Sequence, residues 1–238
     1  MIELQNITLA NTPGSRLISD QTVRIADGTL TALIGRNGCG KSTLLRTMAG
    51  LRKPQGGHII INNIDVHRAP VSEMARLIAV ITTETPVVEN LTCRQLVAYG
   101  RAPHTGLLGR LSADDERIVD RALETVGMQS FATRKINNIS DGEGRRIMLA
   151  RALAQQTPVI MLDEPTSFLD VPGRYEIASL LRRLAHEEGK TIVYSTHELE
   201  PAFRYADNIL YMSADGLLLA PPDSEQMRAV SAKFIPAP

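Results

Sequence analysis

The clearest chemical pattern in the sequence is a glycine-rich run at residues 35–42, which reads Gly-Arg-Asn-Gly-Cys-Gly-Lys-Ser. Glycines let a loop wrap closely around an anion, and a helix that follows such a loop turns unpaired N–H groups and its positive dipole end toward that anion. The run matches the phosphate-binding pattern G-x-x-x-x-G-K-[ST]. It therefore predicts a site for a nucleoside triphosphate, and a glycine-rich turn without a ligand is the alternative.

Each residue type in this run has a chemical task. Lys41 is expected to reach the β and γ phosphates, and the Ser42 hydroxyl is expected to hold Mg²⁺. The residues predicted to bind the nucleotide are Gly35, Arg36, Asn37, Gly38, Cys39, Gly40, Lys41, Ser42 and Thr43.

A second pattern supplies two carboxylates. The apolar residues 159–162 are followed directly by Asp163 and Glu164. Asp163 is expected to support the Mg²⁺ shell, and Glu164 is expected to act on an attacking water. Because an acidic pair is a common way to end a strand, the functional interpretation depends on the phosphate-binding loop.

Strands and helices alternate around these two patterns. Apolar runs predict strands at residues 30–34, 78–81, 159–162 and 191–194, with a helical stretch around 176–186. This alternation is typical of a parallel sheet.

Other segments surround the predicted sheet. Short alternating strands within residues 2–34 predict an antiparallel layer, and residues 91–154 are predicted to be mostly helical. Ser112 and Asp115 form a capping box that marks one amphipathic helix in that stretch. The tail, at residues 208–220, is predicted to form a closing hairpin.

Composition excludes several classes of protein. The chain has 238 residues, and its 26 Lys and Arg balance 26 Asp and Glu, so no bulk charge attracts nucleic acid or anionic lipid. Cys39 and Cys93 form no disulfide or zinc pattern, and no apolar run approaches the roughly 20 residues that span a bilayer. We therefore expect a cytoplasmic protein that does not bind nucleic acid.

Three further motifs carry a resemblance to a known family. Ile-Ser-Asp-Gly-Glu at 139–143, with the helix-like residues 146–153 after it, resembles the signature motif of the ATP-binding-cassette (ABC) family. Residues 163–170 resemble the acidic motif and D-loop of that family, and Ser-Thr-His at 195–197 resembles its switch histidine. Together with the phosphate-binding loop, the resemblance covers the chain from about Leu4 to Met212.

The resemblance implies a homodimer with two composite ATP sites. In the family, the signature motif binds the γ-phosphate held by the other subunit, which here assigns that role to Ser140, Gly142 and Glu143. A helix N-terminus suits this role because its N–H groups are unpaired. Mg²⁺ and ATP are the implied cofactors.

The resemblance also assigns roles to two other residues. His197 is expected to contact the γ-phosphate and to position water, although a polar residue at a strand end is the alternative. Asp170 is expected to couple the two sites across the dimer, and a helix-capping role is its competitor.

Residues 91–106 and 107–115 resemble the ATPases of iron-chelate, haem and cobalamin importers. This implies a pair of integral membrane permease subunits that dock beside residues 84–110. It also implies an extracytoplasmic substrate-binding protein that does not touch this chain, and a location at the cytoplasmic face of the cell membrane.

Three departures from the family pattern affect details. Thr83 stands where the family has a glutamine, and its hydroxyl is the predicted Mg²⁺ ligand, with the Glu84 carboxylate as the alternative. Asp141 replaces a usual glycine and is expected to face away from the nucleotide. No aromatic residue precedes Tyr99, so we expect weak base selectivity, with Arg16 as a stacking platform.

The predicted fold class is α/β, a P-loop ATPase core with a parallel central sheet, an N-terminal antiparallel layer and an inserted helical subdomain. Residues 1–83 and 155–238 form the predicted core, and residues about 84–154 form the subdomain. The predicted function is ATP hydrolysis for an importer. A nucleotide-binding scaffold with weak or no turnover is the alternative, and a cassette protein acting on nucleic acid or ribosomes is disfavoured by the balanced charge.

Overall fold

The computed structural model describes residues 1–10, 16–82, 90–106 and 109–234. The strands in chain order are Ile2–Ala10 (β1), Arg16–Ile25 (β2), Leu30–Gly35 (β3), Gly56–Ile61 (β4), Ile64–Asp65 (β5), Ile78–Ile81 (β6), Val159–Asp163 (β7), Thr191–Ser195 (β8), Asn208–Ser213 (β9) and Gly216–Ala220 (β10). The α-helices are Lys41–Met48 (α1), Val71–Leu77 (α2), Cys93–Ala98 (α3), Ala113–Thr125 (α4), Asp141–Ala154 (α5), Val171–Glu187 (α6), Leu199–Tyr205 (α7) and Glu225–Phe234 (α8).

These strands form two sheets. An antiparallel sheet has the order β2-β1-β4-β5, and a second sheet has the order β10-β9-β3-β8-β7-β6. In the second sheet the pairs from β9 to β6 are parallel, and β10 pairs with β9 as an antiparallel hairpin. The predicted α/β arrangement is confirmed.

The mainly parallel sheet is buried on both faces. On β7, Val159 and Met161 pack with the antiparallel sheet and α1, whereas Ile160 and Leu162 pack with α5 and α6. Side chains of a strand alternate between faces, so a strand covered on both sides is apolar throughout. Burial on both faces explains why unbroken apolar runs in the sequence predict the strands of this sheet.

The helices α3, α4 and α5 pack together and contribute to one apolar cluster, which includes Leu96, Leu123 and Ile147. Arg101, in a 3₁₀ helix over Tyr99–His104, forms a buried ion pair with Asp115 of α4. The predicted capping box of Ser112 and Asp115 is present at the start of α4. Within the described ranges, no helix has both the length and the apolar character needed to cross a membrane.

Candidate nucleotide-binding and hydrolytic site

The site forms where three neighbouring parallel strands end. The phosphate-binding loop follows β3, the carboxylates Asp163 and Glu164 close β7, and Ser195 and His197 follow β8. In the strand register, Ser195 lies opposite both Leu33 of β3 and Asp163 of β7. Ligands of open α/β sheets bind at the carboxyl ends of the strands, so the fold brings the predicted motifs to one such edge.

The glycines of the loop are required by its backbone. Gly40 has a φ of 108° and precedes α1, and a Cβ added there would lie 2.6 Å from Leu17 Cδ1. Gly38 has a φ of 79°, and a Cβ added to it would meet no atom within 4 Å. L-residues rarely adopt such angles, and the open space over Gly38 lets a ligand approach the backbone.

Lys41 is held inside the loop. Its side chain is almost buried, and Nζ donates to the carbonyl oxygen of Gly35 at 3.0 Å and to that of Arg36 at 3.4 Å. A buried ammonium group requires negative partners. The two carbonyls are neutral, so an anionic phosphate in this loop would provide a stronger partner for Lys41.

Asp163 lies at the centre of an oxygen cluster. Its Oδ1 accepts hydrogen bonds from Ser42 Oγ at 2.9 Å and from Ser195 Oγ at 2.6 Å, and its side chain is buried. A carboxylate beside hydroxyl oxygens is the hard donor set that Mg²⁺ prefers. Ser42 and Asp163 therefore fit the expected metal, whereas the third predicted ligand, Thr83, lies outside the described residues.

Glu164 has a strained backbone that its neighbours hold in place. Its φ of 50° falls in the left-handed region, which is costly for a residue other than glycine. The Glu164 N–H donates to Ser195 Oγ at 2.9 Å, and Ser167 Oγ donates to Glu164 Oε2 at 3.0 Å. His197 Nδ1 lies 3.1 Å from the same Oε2 atom. The carboxylate is thus fixed at the mouth of the loop.

His197 also contacts a second carboxylate. Its Nε2 lies 3.2 Å from Glu198 Oε1, and the same oxygen forms an ion pair with Arg174 Nη1 at 2.6 Å. Arg174 belongs to α6, so α6 is tied to the segment that follows β8.

A cavity of about 450 Å³ joins these groups. It is lined by Asn37, Gly38, Gly40, Lys41, Ser42, Thr43, Glu164 and His197. All eight were predicted site residues, and the volume is within the usual range for ligand sites. Two larger grooves, of about 960 and 830 Å³, lie along α4 and α6. Neither groove is lined by a residue of the phosphate-binding loop or of the acidic pair, as the structure describes them.

The predicted signature residues form a separate site at the start of α5. Ser140 is the N-cap of this helix, and Glu143 Oε2 accepts hydrogen bonds from Ser140 N at 2.7 Å and from Ser140 Oγ at 2.9 Å. These hydrogen bonds lower the pKa of Glu143. In the part of the chain that the structure describes, no residue of the 139–144 stretch lines the 450 Å³ cavity.

Asp170 caps α6, since its Oδ1 accepts a hydrogen bond from Gly173 N at 3.0 Å. Capping was the alternative role for this residue, and its coupling role stays a prediction. Beside it, Leu169 lies against Gly142 of the signature stretch: a Cβ on Gly142 would be 2.9 Å from Leu169 Cδ2. The D-loop and the signature helix are therefore in direct contact within one chain.

Arg145 of α5 is buried near the hydrolytic carboxylates. It is 6% exposed, and its Nη1 donates to the Thr82 carbonyl at 3.1 Å, just after β6. Burial lowers the pKa of this guanidinium, while Asp141, Asp163 and Glu164 act in the opposite direction. The attraction between Asp141 and Arg145 places the acidic residue of the signature stretch near a cation.

Comparison with known proteins decides the family. The ABC transporter family model matches residues 18–167, which is more than half of the chain. The chain belongs to the ABC transporter family. The expectation of an ABC-type ATPase, made from the motifs alone, is confirmed.

Similar proteins cover most of this ABC chain. The achromobactin transport ATP-binding protein of Dickeya dadantii is 40% identical over 194 residues, which are 82% of this chain and 72% of that protein. The iron(3+)-hydroxamate import ATP-binding protein of Bacillus subtilis is 40% identical over 190 residues, or 80% and 71% of the two chains. A dimeric ATP-binding cassette, solved in a post-hydrolysis state with ADP and Pi, has a TM-score of 0.81 and 27% identity, covering 94% of this chain and all of that one.

Sequence reasoning missed several residues of this ABC ATPase site. Ser195 and Ser167 were within recognised motifs but had no assigned role, although both hydrogen-bond to the acidic pair. Glu198 and Arg174 carried no signal, because only the fold brings α6 to the segment after β8. Arg16, the proposed base platform, is exposed at the start of β2, and its stacking role stays a prediction.

Proposed function

We propose that this chain is the ATP-binding and hydrolysing subunit of an importer for an iron-siderophore, haem or cobalamin, and that it works as a homodimer with two composite ATP sites. The main support for this proposal is one cavity lined by Lys41, Ser42, Glu164 and His197. Ser42 hydrogen-bonds to Asp163, and His197 contacts Glu164. The family match supports ATP as the nucleotide.

Different residues around the cavity bind the phosphates and the metal ion. The loop N–H groups and Lys41 bind the phosphates, and Ser42 and Asp163 would hold Mg²⁺. When bound there, Mg²⁺ would supply positive charge that offsets the charge of the phosphates. Thr83 is retained as a further ligand on the basis of the sequence.

Glu164 and His197 orient the nucleophile. The Glu164 carboxylate accepts a hydrogen bond from a water in line with the γ-phosphate, and its strained backbone keeps this oxygen at the cavity mouth. His197 holds Glu164 from the other side through Nδ1. Water attacks the γ-phosphorus, the bond to the β-phosphate oxygen breaks, and ADP and phosphate leave.

The second half of each site comes from the partner copy. Ser140, Gly142 and Glu143 lie at a helix N-terminus outside the cavity of their own chain, and a half-site of this kind is completed by a second copy. The dimeric cassette with ADP and Pi supports this arrangement. Asp170, next to the signature contact, then lies at the dimer interface.

The importer assignment rests on the relatives. The similar proteins carry achromobactin transport and iron(3+)-hydroxamate import in their names. A cobalamin import ATP-binding protein of Halobacterium salinarum is 41% identical over 203 residues, which are 85% of this chain and 50% of that protein. On this basis the partners are integral membrane permease subunits, the location is the cytoplasmic face of the membrane, and an extracytoplasmic binding protein delivers the substrate. On the basis of the sequence, we retain residues about 84–154 as the helical subdomain, with the permease docking beside residues 84–110.

Steady-state ATP hydrolysis tests the enzymatic part of the proposal. Glu164→Gln keeps the side-chain shape but loses the basic oxygen, so turnover is expected to fall by about 100-fold or more while ATP binding persists. Glu187→Gln, at an exposed position on α6, is the matched control and should hydrolyse ATP at the wild-type rate. Equal turnover by wild type and Glu164→Gln would favour the non-hydrolysing scaffold.

Uptake in cells tests the transport part. A strain lacking this chain is expected to lose uptake of one labelled substrate among ferric siderophores, haem and cobalamin. Wild-type protein should restore that uptake, and the Glu164→Gln variant should not. Normal uptake of all three substrate classes in the deletion strain would contradict the importer assignment without affecting the ATPase assignment.

A further inference from the structure

The orientation of His197 depends on a line of contacts that begins outside the ATP cavity. Glu198 Oε1 lies 3.2 Å from His197 Nε2 and 2.6 Å from Arg174 Nη1. The side chains of Glu198 and Arg174 are 20% and 31% exposed, whereas that of His197 is 48% exposed. The more exposed His197 ring therefore contacts, through Nε2, the less exposed Glu198–Arg174 ion pair.

The same ion pair is connected to the D-loop. Arg174 Nε donates to the carbonyl oxygen of Leu169 at 3.0 Å, and the Leu169 side chain lies against Gly142. Arg174 thus binds the backbone of the D-loop with one nitrogen and Glu198 with another. A displacement of Leu169 relative to α6 would break the first of these bonds.

The two ring nitrogens of His197 together select its orientation. One nitrogen faces Glu164 and the other faces Glu198, so a rotated ring would lose both contacts. A half-exposed side chain gains rotamer freedom when such a contact is removed. Hydrolysis is sensitive to small errors in geometry, so a loosely held imidazole would orient Glu164 poorly.

We propose that Glu198 and Arg174 are positioning residues for hydrolysis: Glu198 holds the His197 ring with Nδ1 toward Glu164, and Arg174 ties Glu198 to the D-loop backbone at Leu169. The D-loop thereby controls the orientation of His197 within its own chain. This inference rests on the proposed ATPase function and adds the residues that link the D-loop to its hydrolytic pair.

A kinetic double-mutant cycle separates this role from a purely structural one. Glu198→Ala is expected to lower kcat by about tenfold with KM for ATP changed by less than about twofold. In a His197→Ala background, the same substitution should change kcat by less than about twofold, because the group it positions is already absent. Equal losses of kcat in both backgrounds would overturn the proposal.

Two variants test the link through Arg174. Arg174→Met removes the ion pair to Glu198 and the hydrogen bond to the Leu169 carbonyl, and it is expected to lower kcat. Arg174→Lys keeps the ion pair to Glu198 and should recover part of the loss. Glu187→Ala, exposed at the C-terminal end of α6, is the control and should leave kcat unchanged. A full wild-type kcat for Arg174→Met would contradict the link to the D-loop.

A spectroscopic measurement keeps the test independent of turnover and of folding defects. The chain has five histidines, so ¹⁵N-labelled imidazole signals are few, and His197→Ala assigns the one of interest. Glu198→Gln, which preserves side-chain volume, is expected to shift or broaden the His197 ring signals while the other four stay in place. Unchanged His197 signals would overturn the inference even if ATP hydrolysis is normal, and an inactive wild type with the expected shifts would contradict the ATPase function alone.

Discussion

Asp115→Asn removes the negative charge of a buried ion pair that joins α4 to the end of α5. Asp115 Oδ1 accepts a hydrogen bond from Arg101 Nε at 2.8 Å, and Arg101 Nη1 also donates to the Ala154 carbonyl at 2.8 Å. Asp115 Oδ2 accepts hydrogen bonds from Ser112 Oγ at 2.6 Å and from Ser112 N at 2.9 Å. The Ser112 bonds and Arg101 lower the Asp115 pKa from 3.8 to about 2.

The pKa shift of Asp115 sets the size of its contribution to folding stability. A carboxyl group whose pKa falls from 3.8 to about 2 on folding contributes at most about 2.5 kcal/mol to stability at neutral pH. Because the folded pKa is the lower one, the contribution is complete above the unfolded value and is lost as the pH falls toward about 2. Roughly 1 kcal/mol should already be lost at pH 3.

The Asp115→Asn variant is expected to lose more folding stability than the pKa shift of Asp115 alone accounts for. Arg101 is 5% exposed, and asparagine leaves its charge buried without a counter-ion. Breaking one side of a buried pair costs about 3–5 kcal/mol. The remaining hydrogen bonds from Arg101 Nη1 to the Ala154 carbonyl and to Gln156 Oε1 favour the lower end of this range. We expect Asp115→Asn to destabilise the protein by about 3 kcal/mol at pH 7.

Urea unfolding followed by circular dichroism measures both effects. The stability difference between wild type and Asp115→Asn should shrink by roughly 1 kcal/mol between pH 7 and pH 3. Asp114→Asn, at a neighbouring side chain that is 74% exposed, is the control and should cost less than about 0.5 kcal/mol. A difference that does not change with pH, or a variant as stable as wild type, would refute the reasoning.

Three other variants address the ATP site and the core. Glu143→Gln keeps the cap on Ser140 but removes a carboxylate from an anion site, so ATP-driven dimerisation should strengthen a few-fold, as measured by ultracentrifugation. Gly40→Ala forces a Cβ to within 2.6 Å of Leu17 and should abolish ATP binding in calorimetry. Tyr194→Phe removes a buried hydroxyl that has no partner among the described residues; its melting temperature should be equal or slightly higher.

Each of these variants has a contradicting outcome. Weaker dimerisation of Glu143→Gln would mean that the carboxylate itself supports the composite site. Normal ATP affinity of Gly40→Ala would show that the phosphate-binding loop does not require glycine at position 40. A clear loss of stability in Tyr194→Phe would indicate that the hydroxyl has a partner.

The loop, the acidic pair and the strands that carry them were predictable because their signals are local. A glycine pattern next to an apolar run requires no knowledge of the rest of the chain, and a strand buried on both faces leaves an unbroken apolar stretch. Residues 78–81 form a strand with the predicted bounds in the structure. The positions of Asp163 and Glu164 then follow from the end of β7.

Other features depended on contacts between distant segments. The first half of β2 is rich in polar residues, and its pairing with β1 makes it a strand from Arg16 onward. The helices α2, α7 and α8 were not predicted; α7 has only seven residues, and α8 buries only Met227 and Val230. Short helices with few buried residues have weak periodic signals. The Arg174–Glu198 pair likewise depends on where α6 packs.

The left-handed backbone at Glu164 has a consequence for engineering this protein. Glycine would relax this position, whereas any other ordinary side chain costs about 1–2 kcal/mol in that conformation. A screen for heat resistance alone would therefore reward Glu164→Gly, which relieves the backbone strain and discards the carboxylate. Thermostable variants recovered without a transport or turnover criterion should be sequenced first at codon 164.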